Sequence, residues 1–439
     1  MNVWQIVCAV GLTMLCLAPL GVRAGEPLQR SPPHSQVQAQ NHAPRADGSP
    51  VAVPEPSAKA LRHYHESLVL SGARILWMLL APALFVFTGC SARVRSWAER
   101  LGRQWYFTFA LYAVACGLIY YSISLPLSYY AGFIHPHHYD LSNQTFGRWL
   151  DHYAKGALVV MLGLLAIGWF PFLVIRKSPR RCWLYLGLLA APALCALVWA
   201  QPLMIAPLFH HFRPLQNKAL DSKILAEAAR AGIEGSRVYE VNMSEDTKIL
   251  NAYVTGFGSS KRIVFWDTSL KALNEDELLF ILGHEMGHYV MRHIVKFIAF
   301  ESALIVGLFY IVHWLAERLI ARCKARFGFD ALSDIAALPL ILFLVWLVAL
   351  VGLPIPMAFS RHMEHEADRF GLELTHNNHA AATAQVKLQE YHLGISRPGI
   401  IVKLWLFTHP PAAERIEFCN RYRPWETGRP ARYGEYLKP

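Results

Sequence analysis

Two histidines and a glutamate stand within one helical turn in the run His284-Glu285-Met286-Gly287-His288. Residues four apart in a helix share a face, so the imidazoles of His284 and His288 can bind one tetrahedral zinc ion. The carboxylate of Glu285 can then reach a water in the open coordination position and accept its proton. This arrangement is typical of zinc-dependent peptide hydrolysis. The alternative is a polar helix face on which both histidines are solvated.

The residues upstream of this run predict the helix that carries it. Asn274 is followed three residues later by Glu277, which is the pattern of a helix N-terminus, and the apolar run 278–282 comes next. We therefore expect a helix that begins near Asn274 and presents both histidines on one face.

The run 360–368, with the sequence SRHMEHEAD, offers a third protein ligand. Glu364 and Asp368 are four residues apart and share a helix face, whereas Glu366 points away. We expect Glu364 to bind the metal and Asp368 to accept a hydrogen bond from a ligand imidazole. A solvated helix of mixed charge is the alternative.

Two long apolar stretches, 297–315 and 335–356, separate the two halves of this site. Two membrane crossings return the chain to the side that it left, so both halves end on the same face of the bilayer. The spacing therefore favours a single site over two unrelated polar helices.

With these motifs, HEMGH followed by SRHMEHEAD, the chain resembles the integral-membrane zinc peptidases that include the CAAX prenyl proteases and the HtpX-type heat-shock proteases. Further matches are Asn251-Ala252-Tyr253, Gly256-Phe257-Gly258 and 261–265 upstream, and His409-Pro410-Pro411 with Arg415 downstream. Chain length and the number of apolar stretches favour the CAAX prenyl protease branch.

The resemblance implies one zinc ion per chain, bound by His284, His288 and Glu364, with Glu285 as general base. It also implies that Asn251, Ala252 and Tyr253 lie on an edge strand that binds the substrate. Arg415 would be a further substrate-binding residue, a cation.

The residues themselves support some of these roles. Segments 254–257 and 262–266 predict a hairpin about the turn 258–260, and its edge could bind an extended peptide. A hairpin that only supports the zinc helix remains the alternative. His409 could donate a hydrogen bond to the oxyanion of a tetrahedral intermediate, or it could be a structural histidine at the Pro-Pro turn.

Composition predicts the fold class. Of 439 residues, 54% are hydrophobic and only 17% are charged, as in a polytopic membrane protein. We expect a mostly α protein, a polytopic helical membrane protein in a lipid bilayer, with a zincin-like catalytic domain that contains a small β-hairpin or sheet. The expected spans are 68–89, 105–126, 157–175, 183–205, 297–315 and 335–356.

The net charge of +11 does not indicate nucleic-acid binding, because the basic residues cluster in short loops beside the expected spans. Such clusters mark the cytoplasmic side. The catalytic segments then face the opposite side, which favours a bacterial inner membrane with the catalytic domain in the periplasm; a eukaryotic endomembrane is the alternative. The basic residues are Arg93, Arg95, Arg100, Arg103, Arg176, Lys177, Arg180, Arg181, Arg318, Arg322, Lys324 and Arg326.

These features divide the chain into six regions. They are a signal peptide or first span (1–24), a disordered exported tether (25–66), a four-span region (67–205), a first catalytic segment with the HExxH helix (206–296), a two-span hairpin (297–356), and a second catalytic segment with the third zinc ligand and a C-terminal tail (357–439).

We therefore expect a zinc metalloendopeptidase that cleaves membrane-associated or envelope polypeptides, either lipid-modified or misfolded. CAAX-type processing and quality-control proteolysis both remain open. A zinc-stabilised membrane chaperone or scaffold that does not cleave is the alternative, although such a protein has no need for Glu285 beside the metal.

Overall fold

The computed structural model describes residues 50–233, 235–255 and 261–437. The expected signal peptide or first span at 1–24, the tether as far as residue 49, the motif Gly256-Phe257-Gly258 and the turn 258–260 lie outside these ranges.

Apolar helices dominate the first half of the described chain. They are α1 (Ala58–Phe87), α2 (Cys90–Gly102), α3 (Trp105–Tyr129), α4 (His135–His138), α5 (Phe146–Ile167), α6 (Trp169–Lys177) and α7 (Cys182–Ala200). Single π-helical turns at Tyr130–Ile134 and Gln201–Ile205 extend α3 and α7 at their ends. Between them these helices supply four spans.

The first catalytic segment combines short strands with three helices. Its elements are β1 (Phe212–Pro214), α8 (Lys218–Arg230), β2 (Arg237–Val241), β3 (Ala252–Thr255), β4 (Arg262–Trp266), α9 (Asp267–Ala272) and α10 (Glu275–Val290). The rest of the chain forms α11 (His293–Phe327), α12 (Leu338–Gly352), α13 (Pro354–Thr375), α14 (Asn378–Tyr391), α15 (Ile400–Leu406) and α16 (Ala412–Arg421).

Six helical segments are long and apolar enough to cross a membrane, so the chain is a multi-pass membrane protein as predicted. They are Ala58–Phe87, Trp105–His138, Phe146–Lys177, Cys182–Leu208, His293–Phe327 and Ile335–Gly352. Most side chains in these segments are not buried within the protein, which is expected where lipid covers the helix.

The predicted tether over 25–66 is wrong for its last residues. Asn420 exchanges two hydrogen bonds of 2.9 Å with the backbone of Val51, and α1 begins at Ala58 with Ser57 as its N-cap. The helix extends ten residues beyond the apolar window because its first turns are polar and pack on neighbouring protein, as the buried His63 shows. Composition alone did not reveal that packing.

The predicted hairpin is the edge of a larger sheet, with the strand order β1-β2-β4-β3. β3 pairs antiparallel with β4, from Ala252 opposite Phe265 to Thr255 opposite Arg262, and β2 pairs parallel with β4. Within the described chain β3 pairs only with β4, so its other edge is open. The β1–β2 pair was not predicted, because β1 has only three residues and such a short strand carries little alternation.

The sheet packs against α10 through an apolar core. Ile263 and Phe265 of β4 belong to one buried cluster with Leu278, Leu282 and Met286 of α10. The capping box of α10 is present as predicted: the Asn274 side chain accepts a hydrogen bond from the Glu277 backbone N–H, and the Glu277 carboxylate accepts one from the Asn274 N–H. The apolar core determines which face of α10 is turned toward the sheet, and the capping box determines where α10 begins.

Glycines allow α10 and α13 to approach closely. A Cβ added at Gly371 would lie 2.9 Å from the backbone nitrogen of His284, and one added at Gly283 would lie 3.1 Å from the Cα of Gly371. The two spans α11 and α12 separate these helices in sequence and return the chain beside α10. The predicted helical hairpin thus brings the two motifs together.

Candidate metal centre

The two histidines of α10 and one carboxylate of α13 converge on a common point. The Nε2 atoms of His284 and His288 lie 3.2 Å apart. Glu364 Oε2 lies 3.2 Å from His284 Nε2, and Glu364 Oε1 lies 3.5 Å from His288 Nε2. All three side chains are buried, and across the described residues this is the one group of three such side chains close enough to share a metal ion.

The separations fit a zinc ion. Two nitrogens bound at about 2.0–2.1 Å to a tetrahedral zinc lie about 3.3–3.4 Å apart, close to the 3.2 Å between the two Nε2 atoms. Glu364 Oε2 is buried, and the polar atoms beside it are ring nitrogens of His284 and His409, each 3.2 Å away; a buried carboxylate needs a positive partner to offset its desolvation. A cation among the three side chains provides one.

Asp368 sets the tautomer of His284. Its Oδ1 lies 2.9 Å from His284 Nδ1, and because an ionised carboxylate only accepts, the ring must donate from Nδ1. His284 Nε2 is then the ring nitrogen that faces Glu364 and the metal position. The predicted outer contact between Asp368 and a ligand imidazole is therefore present.

Arg415 holds Asp368 in place. Its Nε donates to Asp368 Oδ2 at 2.8 Å, and its NH2 group donates to Asp368 Oδ1 at 2.5 Å. The Asp368 side chain is fully buried and that of Arg415 is 11% exposed. Burial would raise the pKa of Asp368, but Arg415 and His284 outweigh it and hold the pKa below its usual range.

His293 contacts the Nδ1 atom of His288, as Asp368 contacts the Nδ1 atom of His284. The two Nδ1 atoms lie 2.9 Å apart, and His293 Nε2 lies 3.5 Å from Glu366 Oε2. When His288 donates from Nδ1, its Nε2 faces the cluster. His293, the first residue of the membrane-spanning α11, is fully buried. Spacing gave no indication of this contact.

The cluster attracts cations. Burial lowers the pKa of His284, but hydrogen bonds to Asp368 and Glu364 outweigh burial and raise the pKa to about 10. Burial also opposes ionisation of Glu364, yet the neighbouring histidines His409 and His288, followed by His284, hold its pKa well below the usual range. The carboxylates thus remain charged and favour a positive charge at the ring nitrogens.

Glu285 is the acid beside the cluster. Its side chain is buried, and burial raises its pKa above the usual value for a glutamate. A carboxyl group with a raised pKa is better matched to accept and return a proton near neutral pH.

His409 lies at the mouth of the cluster. Its Nε2 is 3.2 Å from Glu364 Oε2, its Nδ1 is 2.8 Å from Thr408 Oγ1, and its side chain is 28% exposed. Burial lowers the pKa of His409 to about 4, so the ring is neutral. A hydrogen bond donated by the Thr408 hydroxyl to Nδ1 leaves the proton on Nε2, which faces the cluster.

Asn251, Ala252 and Tyr253 lie at the start of the open sheet edge, and β3 contacts α10. The Asn251 side chain accepts a hydrogen bond of 2.8 Å from the Ala252 N–H, and the Ala252 side chain is buried. Burial raises the pKa of Tyr253 to about 12. These three residues are therefore near the histidine helix but do not belong to the metal cluster.

Comparison with known proteins identifies the family. The family model "Peptidase family M48" matches residues 214–422, and "CAAX prenyl protease N-terminal, five membrane helices" matches residues 51–211. The chain is 36% identical to the uncharacterized metalloprotease YhfN of Bacillus subtilis, over 85% of this chain and 88% of that protein.

A eukaryotic relative and a solved structure support the same family assignment. The chain is 29% identical to a CAAX prenyl protease 1 homolog of Dictyostelium discoideum, over 66% of this chain and 68% of that protein. The crystal structure of Ste24p from S. mikatae shares the fold, with a TM-score of 0.72 and 21% identity over 83% of this chain and 88% of that one. The chain belongs to peptidase family M48, on its CAAX prenyl protease branch, and is a metalloprotease of the membrane.

Proposed function

We propose that this protein is a zinc endopeptidase that cleaves extended segments of membrane-associated polypeptides, with one zinc ion per chain held by His284, His288 and Glu364. The observation that carries the proposal is the convergence of these three side chains beside Glu285. A bound zinc ion would supply Lewis-acid chemistry, acidifying a water and polarising the carbonyl of the scissile bond.

The protein's own groups carry the proton. In this mechanism Glu285 accepts a proton from the attacking water and then donates it to the departing amine. Asp368 and His293 hold the Nδ1 atoms of the two histidines through the hydrogen bonds described above, which turns their Nε2 atoms toward the metal position. His409 donates from Nε2 to the carbonyl oxygen as negative charge develops on it.

We further propose that the substrate binds as an added strand on the open edge of β3. An extended peptide there would exchange backbone hydrogen bonds with the segment Asn251 to Tyr253 and run past α10. We assign Arg415 to the positioning of Asp368, instead of the substrate contact expected from the family, because its guanidinium is already bound to that carboxylate.

Membrane attachment defines the substrate class in this proposal. Because both halves of the cluster flank the spans α11 and α12, substrates tethered to the bilayer reach it most readily. CAAX-type processing of lipid-modified proteins and quality-control cleavage of misfolded ones both fit. We place the protein in a bacterial inner membrane with the cluster facing the periplasm, on the distribution of the basic loops.

Replacement of the proposed base tests the function. We expect purified Glu285→Gln protein to retain one zinc per chain by metal analysis and to lose peptide cleavage by about 10²–10⁴-fold. His284→Ala should lose the metal. Glu275→Gln, an exposed acid in the first turn of the same helix, is the matched control and should cleave at the wild-type rate.

Two results would contradict the proposal. Glu285→Gln protein that cleaves as fast as wild type would exclude Glu285 as the base. Wild-type protein that binds zinc but turns over no peptide, including membrane-tethered ones, would favour the scaffold alternative.

A further inference from the structure

The short helix α15 exposes aliphatic side chains next to the metal cluster. Ile400 is 65% exposed and Ile401 is 71% exposed. The helix ends at Leu406, three residues before His409. Exposure of two adjacent isoleucine side chains to water costs free energy, which favours an apolar environment around α15.

A hydrogen bond attaches α15 to the end of a membrane-spanning helix. Trp405 Nε1 donates to the backbone carbonyl of Leu350 at 3.0 Å. Leu350 lies in the last turn of the membrane-spanning α12, where an α-helical carbonyl would accept from the N–H four residues on. That residue is Pro354, which has no N–H. Trp405 therefore satisfies a carbonyl at the end of a span, where an unpaired one is expensive.

Exposed aliphatic side chains also lie on both sides of the junction between α12 and α13, close in sequence to the carbonyl that Trp405 binds. Val351, next to Leu350, is 71% exposed, and Ile355 is 55% exposed. Polar contacts join α15 to α13 and α16. Arg361 donates to the carbonyls of Lys403 and Phe407 at 2.9 and 2.8 Å, and the Lys403 ammonium pairs with Glu414 at 2.5 Å.

We propose that α15 is a membrane-interface helix that inserts Ile400 and Ile401 among the lipids of the leaflet on the side of the metal cluster. Trp405 stands at the depth where tryptophan is enriched in membrane proteins. A helix with an apolar face and one polar attachment side lies in the interface plane with its apolar residues at the headgroup and acyl boundary.

Lipid contact at α15 then positions His409. The chain runs directly from the helix through Phe407 and Thr408 to His409, and Ser360 donates to the Thr408 carbonyl at 2.7 Å. With the helix held by the bilayer on one side and by Arg361 on the other, His409 stays beside Glu364. Ile401 is thus a positioning residue that acts through His409.

Photo-crosslinking tests the lipid contact. Full-length protein with a benzoylphenylalanine at position 401 is reconstituted into vesicles of phosphatidylethanolamine and phosphatidylglycerol, irradiated, and analysed by intact mass. The control position is 225, an exposed leucine of α8 in the first catalytic segment. We expect a lipid adduct at 401 and none above background at 225; equal yields at both positions would overturn the proposal.

This measurement does not depend on peptide cleavage, so its failure is distinct from failure of the proposed function. Equal melting temperatures of the two labelled proteins and the wild type show that both remain folded.

A double-mutant cycle tests the link to His409, and it rests on the proposed function. We expect Ile401→Asp to lower kcat with KM unchanged, and Ile401→Leu to retain the wild-type rate. In a His409→Ala background Ile401→Asp should cause no further loss, because both changes remove the same contribution. Losses that simply add would overturn the positioning role.

Discussion

His284 faces Glu364 because of what binds its other ring nitrogen. Its Nδ1 donates to Asp368, and Asp368 is held in turn by both arms of Arg415. The imidazole therefore has one tautomer and one orientation without rearrangement, which is the usual purpose of a carboxylate behind a metal-binding histidine.

Removal of that carboxylate should weaken metal binding without abolishing the fold. We expect Asp368→Ala to lower zinc affinity about 10–100-fold, because the His284 ring loses its tautomer and its anchor. Competition with a chromogenic chelator measures this affinity. Asp276→Asn, an exposed acid at the start of α10, should bind zinc like the wild type; unchanged affinity in Asp368→Ala would refute the assignment.

Sequence patterns predicted the residues of this cluster that share a helix face, and missed His293, which contacts His288 across a turn. His284 and His288, and also Glu364 and Asp368, are four residues apart, so their shared faces follow from helical geometry. His293 contacts His288 only because the chain turns sharply at Arg292, whose φ is 54°. A left-handed turn at an arginine carries no pattern in the sequence.

At the scale of elements, the approach of α10 to α13 determines whether the cluster forms. The contact includes Gly283 and Gly371, and an added Cβ at Gly371 would lie 2.9 Å from the backbone of His284 and 3.3 Å from the carbonyl of Phe280. Both of these atoms belong to the backbone of α10, so a side chain cannot be accommodated by rotation alone.

We therefore expect Gly371→Ala to separate the two helices. The change should destabilise the protein by about 1–3 kcal/mol and reduce zinc content, because Glu364 and Asp368 move away from the histidines. Melting temperature and metal analysis measure both effects. Gly147→Ala in α5, where nothing lies within 4 Å of an added Cβ, is the control; a Gly371→Ala protein with normal zinc would contradict this explanation.

The elements themselves were predictable to different degrees. Six spans and the β3–β4 hairpin follow from long apolar runs and from alternation about a glycine turn. The parallel pairing of β2 with β4 joins strands that are distant in sequence, and residues 50–57 contact segments far along the chain, among them Asn420 of α16 and Ser396. Neither depends on a local pattern, so neither was predicted.

At the scale of the whole molecule, hydrogen bonds to Asp246 connect the first catalytic segment to the membrane helices. Its buried carboxylate accepts from Gln144 at 2.6 Å and from Arg148 of α5 at 2.5 and 3.0 Å, and His210 Nδ1 lies 3.3 Å away. Burial raises the pKa of Asp246, but its contacts with His210, Arg148 and Gln144 outweigh burial and hold the pKa below the usual 3.8.

Asp246→Asn should therefore destabilise the protein at neutral pH. Because the folded-state pKa is depressed, the ionised carboxylate contributes stability above about pH 3.8, and this contribution is lost as the pH falls through the folded pKa. We expect a loss of about 1–3 kcal/mol, since Arg148 and His210 lose a charged partner while Arg148 keeps its ion pair with Glu245. Melting temperatures at pH 7 and pH 3 measure it.

The difference between wild type and Asp246→Asn should shrink at the lower pH. Asp151→Asn is the control, since Asp151 is 49% exposed and pairs with Lys155 on the same helix. A melting temperature at pH 7 equal to that of the wild type would show that Asp246 does not join the catalytic segment to the membrane helices.

The distribution of charge along the whole chain predicts its orientation. Basic clusters at 93–103, 176–181 and 318–326 lie at one end of consecutive spans, and the metal cluster lies beyond the other end. The positive-inside rule predicts that these loops are cytoplasmic, and in the proposed bacterial inner membrane His284 and Glu364 would then face the periplasm. We expect an alkaline phosphatase domain fused after residue 437 to be active in Escherichia coli, and one fused at 178, between α6 and α7, to be inactive. The opposite pattern would put the cluster in the cytoplasm and would replace envelope polypeptides with cytoplasmic ones as the substrates.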